Sequence, residues 1–300
     1  MGAGHSHDIG HAGGKHRWRL ALAFGLVATF FVVELTYALI SGSLALLSDA
    51  GHMAADVIAL GAALFATRIA TRRDTTGRRT YGSYRAEVFA SDFTALLMLA
   101  VAVYVVIEAL GRVGETVDVD TGPMFVVGGL GLVINIVCML LLRGGAAESL
   151  NVKGAYLEVL ADTAGSVGVI AAAILVRATG NTIWDTAVAL AIGAFVAVRA
   201  IMLGREVLAV LAQHVPAGME LDEVTTDLEA IDGVDDVHDL HVWTLTSGMH
   251  VATAHLVARD TAAAASVLTE ARRVLRTDHG VEHATLQVES ADRECQELGW

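Results

Sequence analysis

Six apolar runs, each of about twenty residues, constrain this chain more than any other feature. They fall near 19–40, 46–70, 88–110, 122–143, 154–177 and 183–204. A run of that length crosses the roughly 30 Å hydrocarbon layer of a bilayer as one α-helix. Lipid offers no hydrogen-bond partners, so a helix, which satisfies its own backbone, is the expected form of each run. The 54% hydrophobic content fits such a protein better than a soluble one.

Charge divides the chain. Residues 1–205 hold 15 acidic and 15 basic residues, and residues 206–300 hold 18 and 5, so the whole net charge of −13 lies in the last third. The expected organisation is a disordered His-rich tail over 1–16, a six-helix transmembrane domain over 17–205 and a linker over 206–219. A cytoplasmic domain over 220–290 and a short tail over 291–300 follow. An acidic domain does not suit a nucleic-acid partner. It suits a solvated surface or an attraction for metal cations. The tail histidines His5, His7, His11 and His16 read equally as a loose metal collector or a plain flexible terminus.

Basic residues set the expected orientation. They gather before the first run (Lys15, Arg17, Arg19), between the second and third (Arg68 to Arg85), and between the fourth and fifth (Arg143, Lys153). They recur around the end of the sixth (Arg199, Arg205). The opposite loops carry only Arg112 and Arg177. The excess of Lys and Arg marks the cytoplasmic side, which places both termini in the cytoplasm of a multi-pass protein of the cell inner or plasma membrane.

Polar side chains inside the runs are the candidate chemistry, since a charge at mid-bilayer costs roughly 2.5–3.5 kcal/mol on insertion scales. His52 and Asp56 stand four apart in the second run, and Glu158 and Asp162 stand four apart in the fifth. Side chains four apart share one helix face, so two helices can offer four ligands to one metal ion. Asp49, one turn before His52, is either an exit ligand or a residue that orients the others, with a helix cap as the plain alternative. Glu34 and Asp92 lie in other runs and are candidates for a proton path, against simple helix–helix hydrogen bonding. Cys138 and Cys295 form no metal-binding spacing.

After residue 220 the pattern reads helix (221–231), strand (237–245), strand (250–257), helix (261–277), strand (283–289). That order suits a small open-faced α+β sandwich of the ferredoxin-like kind. The fold class is therefore a membrane α-helical domain of six transmembrane helices plus a C-terminal cytoplasmic ferredoxin-like domain.

Four motifs carry a family resemblance: SGSLALLSDAGHMAAD, RRTYGSYRAEVFAS, NVKGAYLEVLADTAGSVGVI and HDLHVWTLTSG. Together they resemble the cation diffusion facilitators, which are metal–proton antiporters, in particular the bacterial zinc exporters. The resemblance implies a homodimer and a central metal site of His52, Asp56, Glu158 and Asp162. It implies Zn2+ as substrate, protons as counter-ion, no catalytic cofactor and no enzyme activity. Zinc exporters usually carry histidine at the position of Glu158. An oxygen ligand there favours harder ions, so Mn2+, Fe2+ or Co2+ stand as alternatives. His238, His255 and Glu289 match a metal site of the cytoplasmic domain, although Gln287 stands where some members have histidine. Other readings are a proton-coupled transporter of organic cations, a membrane metalloenzyme and a metal sensor. The low aromatic content of 6% speaks against the first and the lack of an HExxH motif against the second. A flux measurement separates the third.

Overall fold

The computed structural model describes residues 17–70, 79–112, 118–146, 150–246, 248–260 and 263–290. The four tail histidines, the arginines from 72 to 78 and the tail 291–300 lie outside the described residues. Two compact units emerge, one of Met1–Phe65 with Ala90–Gly204 and one of Ala66–Phe89 with Arg205–Trp300.

Six long helices come first: α1 (Arg17–Ser41), α2 (Leu44–Ala70), α3 (Arg85–Arg112), α4 (Thr121–Ala146), α5 (Leu150–Thr179) and α6 (Ile183–Leu211). At 1.5 Å per residue they run about 38–45 Å, enough to span a bilayer. Among the described residues, α1, α3, α4, α5 and α6 contain stretches apolar enough to do so. α2, of 27 residues, is long enough and carries the polar cluster. Large apolar side chains such as Phe89, Phe93, Leu96, Ile107, Leu110 and Leu140 are exposed on these helices. Water would penalise that surface, and lipid accepts it.

Inside the first unit the helices approach closely because small residues line the contacts. A Cβ on Gly131 of α4 would sit 2.7 Å from the Phe30 ring and 3.0 Å from Oγ of Ser166. α4 packs on α5 and on α1. The buried cluster of this unit includes Phe30, Leu46, Met53, Val127, Leu142 and Val169.

The start of α2 is held by another helix. Ser43 caps it, its Oγ accepting from the Leu46 amide at 3.1 Å. Asp185 of α6, fully buried, accepts from Ser43 Oγ at 2.6 Å and from the amides of Leu44 and Ala45 at 2.8 and 3.2 Å. These are amides a helix leaves unpaired at its first turn, and a carboxylate there also meets the positive end of the helix dipole. Arg112 of α3 completes the joint, 3.8 Å from Asp185 and donating to the Gly42 carbonyl at 2.9 Å.

The second unit holds α7 (Leu221–Glu229), β1 (Val234–Thr246), β2 (Met249–Ala258), α8 (Ala264–Thr277) and β3 (His283–Ser290). The sheet order is β1-β2-β3, with β1 antiparallel and β3 parallel to β2. Gly248 turns the hairpin at φ +70°, and α8 makes the crossover to β3. α7 packs on β1 and α8 on β3, around Leu228, Leu256, Val267, Ala271 and Leu275. This is the expected ferredoxin-like α+β arrangement, with β1 starting three residues before the anticipated strand. The linker anticipated from residue 206 begins instead as helix, since α6 continues to Leu211 without a break at the charge boundary.

Candidate metal centre

His52 and Asp56 of α2 and Asp162 of α5 are each at most 4% exposed. Nε2 of His52 lies 3.6 Å from Oδ2 of Asp56 and 3.3 Å from Oδ1 of Asp162. A tetrahedral ion about 2.1 Å from each ligand holds those ligands about 3.4 Å apart. The three side chains are thus spaced along the edges of one coordination sphere, and their ligand atoms all lie within 4.8 Å of one another.

The helix pair is antiparallel and in a readable register. His52 faces Asp162. Three residues back on α2, Asp49 meets α5 at Gly165, three residues on, where an added Cβ would collide with Oδ1 of Asp49. One turn the other way, the same register sets Glu158 level with Asp56. The Glu158 backbone is helical, and its side chain lies outside those described. Only glycine at 165 lets α5 come this near to Asp49.

Glu34 of α1 and Asp49 are buried, at 1% and 3% exposure, and their carboxyl groups hydrogen-bond to each other. Glu34 also stands within electrostatic reach of Asp162. Asn135 of α4 donates to Ser166 at 3.4 Å on the next turn of α5. Asp92 is not part of this group: it sits half-buried on α3 and makes no hydrogen bond or ion pair among the described residues.

Sequence reasoning missed two residues here. Arg199, which the loop pattern groups with the basic residues at the end of the sixth run, lies within the apolar span Ile183–Leu211, with its Nη1 3.4 Å from Nε2 of His52. Asp185, the anchor of α2, had no partner visible in the sequence because Ser43 lies 142 residues away. The signal available for Arg199 was its depth, twelve residues before the end of α6.

A second cluster forms on the sheet. His238 on β1 and His255 on β2 are direct cross-strand partners, and Glu289 on β3 pairs with Val257. Nε2 of His238 is 3.7 Å and Nδ1 of His255 is 3.0 Å from the Glu289 carboxylate. The imidazole rings meet edge to face at 5.3 Å. The site is half-buried rather than closed. A bulge between His238 and His241 places Asp239 at φ +51° and brings its carboxylate to 3.9 Å from His255 Nε2. Gln287 donates to Glu289 at 2.6 Å instead of facing a metal as a histidine could.

The pattern of the cation efflux transmembrane domain matches residues 20–212, and that of the cation efflux protein cytoplasmic domain matches residues 216–291. The chain belongs to the cation diffusion facilitator family. This facilitator is 45% identical over 293 residues to the metal cation efflux system protein CzcD of Cupriavidus metallidurans, covering 97% of this chain and 91% of that one. It is 32% identical to a cadmium, cobalt and zinc/H(+)-K(+) antiporter of Bacillus velezensis, over 96% and 92% of the two chains. It is 34% identical to the zinc transporter ZitB of Escherichia coli, over 96% and 93%. The family is one of multi-pass cation-efflux transporters, not a class of enzymes.

Proposed function

We propose that this facilitator exports a divalent metal ion, Zn2+ first, from the cytoplasm in exchange for protons. It works as a homodimer, with both termini on the cytoplasmic side of the inner or plasma membrane. The observation that carries this reading is the convergence of His52, Asp56 and Asp162 at tetrahedral spacing in a buried place between two antiparallel helices. Glu158 is the fourth ligand, on the register argument above.

Coupling follows from shared lone pairs. A metal ion takes only deprotonated ligands, so binding from the cytoplasm releases protons, and protons arriving from the other side displace the ion. The Glu34–Asp49 pair beside the site serves as its proton relay; Asp92, outside this group, is proposed only as an outlying step of that path. Relatives named as zinc transporters and as a cadmium, cobalt and zinc antiporter support both the cargo and the exchange. The single imidazole supports a second reading, in which a harder ion such as Mn2+, Fe2+ or Co2+ is the preferred cargo. On the sheet, His238, His255 and Glu289 bind metal reversibly from the cytoplasm.

Proteoliposomes with a pH-sensitive dye inside test the proposal. A gradient of Zn2+ should drive proton movement in the opposite direction, and His52→Ala should abolish it while the dimer stays folded. Undiminished flux in that variant would refute the site. A ranking of Zn2+, Cd2+, Co2+, Fe2+ and Mn2+ in the same assay decides between the two cargo readings.

A further inference from the structure

An arginine inside a membrane span is costly, and its partner usually tells why it is there. Arg199 lies about 18 Å along α6 from its end at Leu211, too deep to count simply as a loop charge. Its Nη1 stands 3.4 Å from Nε2 of His52. Its guanidinium lies 5.8 Å from the centre of the Phe195 ring, one turn earlier on the same helix. That ring in turn meets the His52 imidazole edge-on at 5.9 Å. Two residues of α6 therefore bracket the imidazole of the metal cluster, one with a charge and one with a ring.

The atom that Arg199 addresses matters. Nε2 is the nitrogen that stands 3.6 and 3.3 Å from Asp56 and Asp162, so it is the one positioned to bind metal. An arginine has donors only and stays charged at any relevant pH. Its N–H can donate to Nε2 only when that nitrogen carries no proton. A metal ion needs that same bare nitrogen. A guanidinium and a divalent ion cannot both use this lone pair, and their charges repel.

We propose that Arg199 is a tethered counter-ion that competes with the metal for the transport site. With no metal bound, its positive charge sits among the carboxylates and keeps Nε2 free of a proton. An arriving metal ion displaces it along the Phe195 face. On the far side, its return helps push the ion out. The bound metal is thereby held less tightly than the ligand set alone would hold it, which a transporter needs in order to release cargo. This inference rests on the transport-site reading above.

The test measures Zn2+ affinity of the purified full-length protein by competition with a chelating dye, together with flux in proteoliposomes. Arg199→Gln should bind Zn2+ about tenfold tighter or more, because a like charge beside the ion is removed, and its maximal flux should fall as release slows. Arg199→Lys, which keeps the charge, should stay near the native affinity. Phe195→Leu, which loosens the hold on the guanidinium, should tighten binding by less than Arg199→Gln. A merely structural role predicts weaker binding in every variant. Unchanged or weaker affinity of the buried site in Arg199→Gln, with His52→Ala still removing that site's share of the binding and leaving the sheet's, overturns the counter-ion and leaves the site standing. If His52→Ala binds as the native protein does, the site itself fails and this inference with it. Should Arg199→Gln not fold, Phe195→Leu decides: no gain in affinity there overturns the proposal.

Discussion

The membrane cluster and the sheet cluster use the same chemistry, histidine with carboxylate, on opposite scaffolds. His52, Asp56 and Asp162 are shut away, while His238, His255 and Glu289 remain half open to solvent. On the sheet, water solvates an empty site at little cost. In the helix bundle it cannot, so the charges there need partners, and Arg199 and the Glu34–Asp49 pair stand close by. A buried site must be balanced in every state of a cycle; an open one need only respond to what arrives. The difference matches the proposed roles, cargo binding in the buried cluster and reversible metal binding in the open one.

The largest expected effect breaks the comparison outright. Asp162→Ala should reduce metal-driven proton flux by more than about 100-fold, since a direct ligand counts for more than the 10–100-fold typical of outer-shell partners. Flux near the native level would mean that the buried cluster is not the cargo site. Glu289→Gln, which keeps a neutral carbonyl oxygen as a weaker ligand, should weaken metal binding on the sheet about 10–100-fold, yet leave the flux largely in place. Titration with and without the substitution, alongside flux, separates the two clusters; loss of transport would merge them. Gly165→Val should sharpen the helix half of the comparison. The added side chain must push Asp49 away, costing about 1–3 kcal/mol of stability with flux falling in step. An unperturbed protein would show that α5 does not need to lie this close.

The smallest effect concerns pH. Burial holds the His250 pKa below its ordinary 6.5. The unfolded chain then takes up a proton before the folded domain does, so stability falls as pH is lowered through about 6.5 toward the folded value. Melting of the full-length protein between pH 7.5 and 5.5 should show a slight drop that His250→Asn removes. A drop of the same size in that variant would assign the effect elsewhere.

Both clusters could be read in the sequence, by different routes. His52 and Asp56 announced themselves by helical spacing within an apolar run, where any polar residue stands out. Helical periodicity is local, so the partner helix could be guessed from a second such pair. His238, His255 and Glu289 could not be derived that way, because cross-strand register brings together residues 17 or more positions apart. They came from family resemblance, and strand pairing then placed them. Arg199 was misplaced because a count of basic residues near helix ends does not see how far a helix continues, and α6 runs to Leu211. The Asp185 joint was invisible for the same long-range reason. Backbone amides at a helix start advertise a need for an acceptor but not which residue supplies it.

That joint makes α2 a lever. Its first turn is clamped to α6 through Asp185, so a tilt of the helix has its fulcrum there. His52 lies about 12 Å from the clamp and Ala70 about 39 Å, by helical rise. Were α2 to pivot there as a rigid rod, 1 Å at the imidazole would correspond to about 3 Å at the far end. In a rigid helix pivoting at that clamp, the side chains farthest from Asp185 travel farthest.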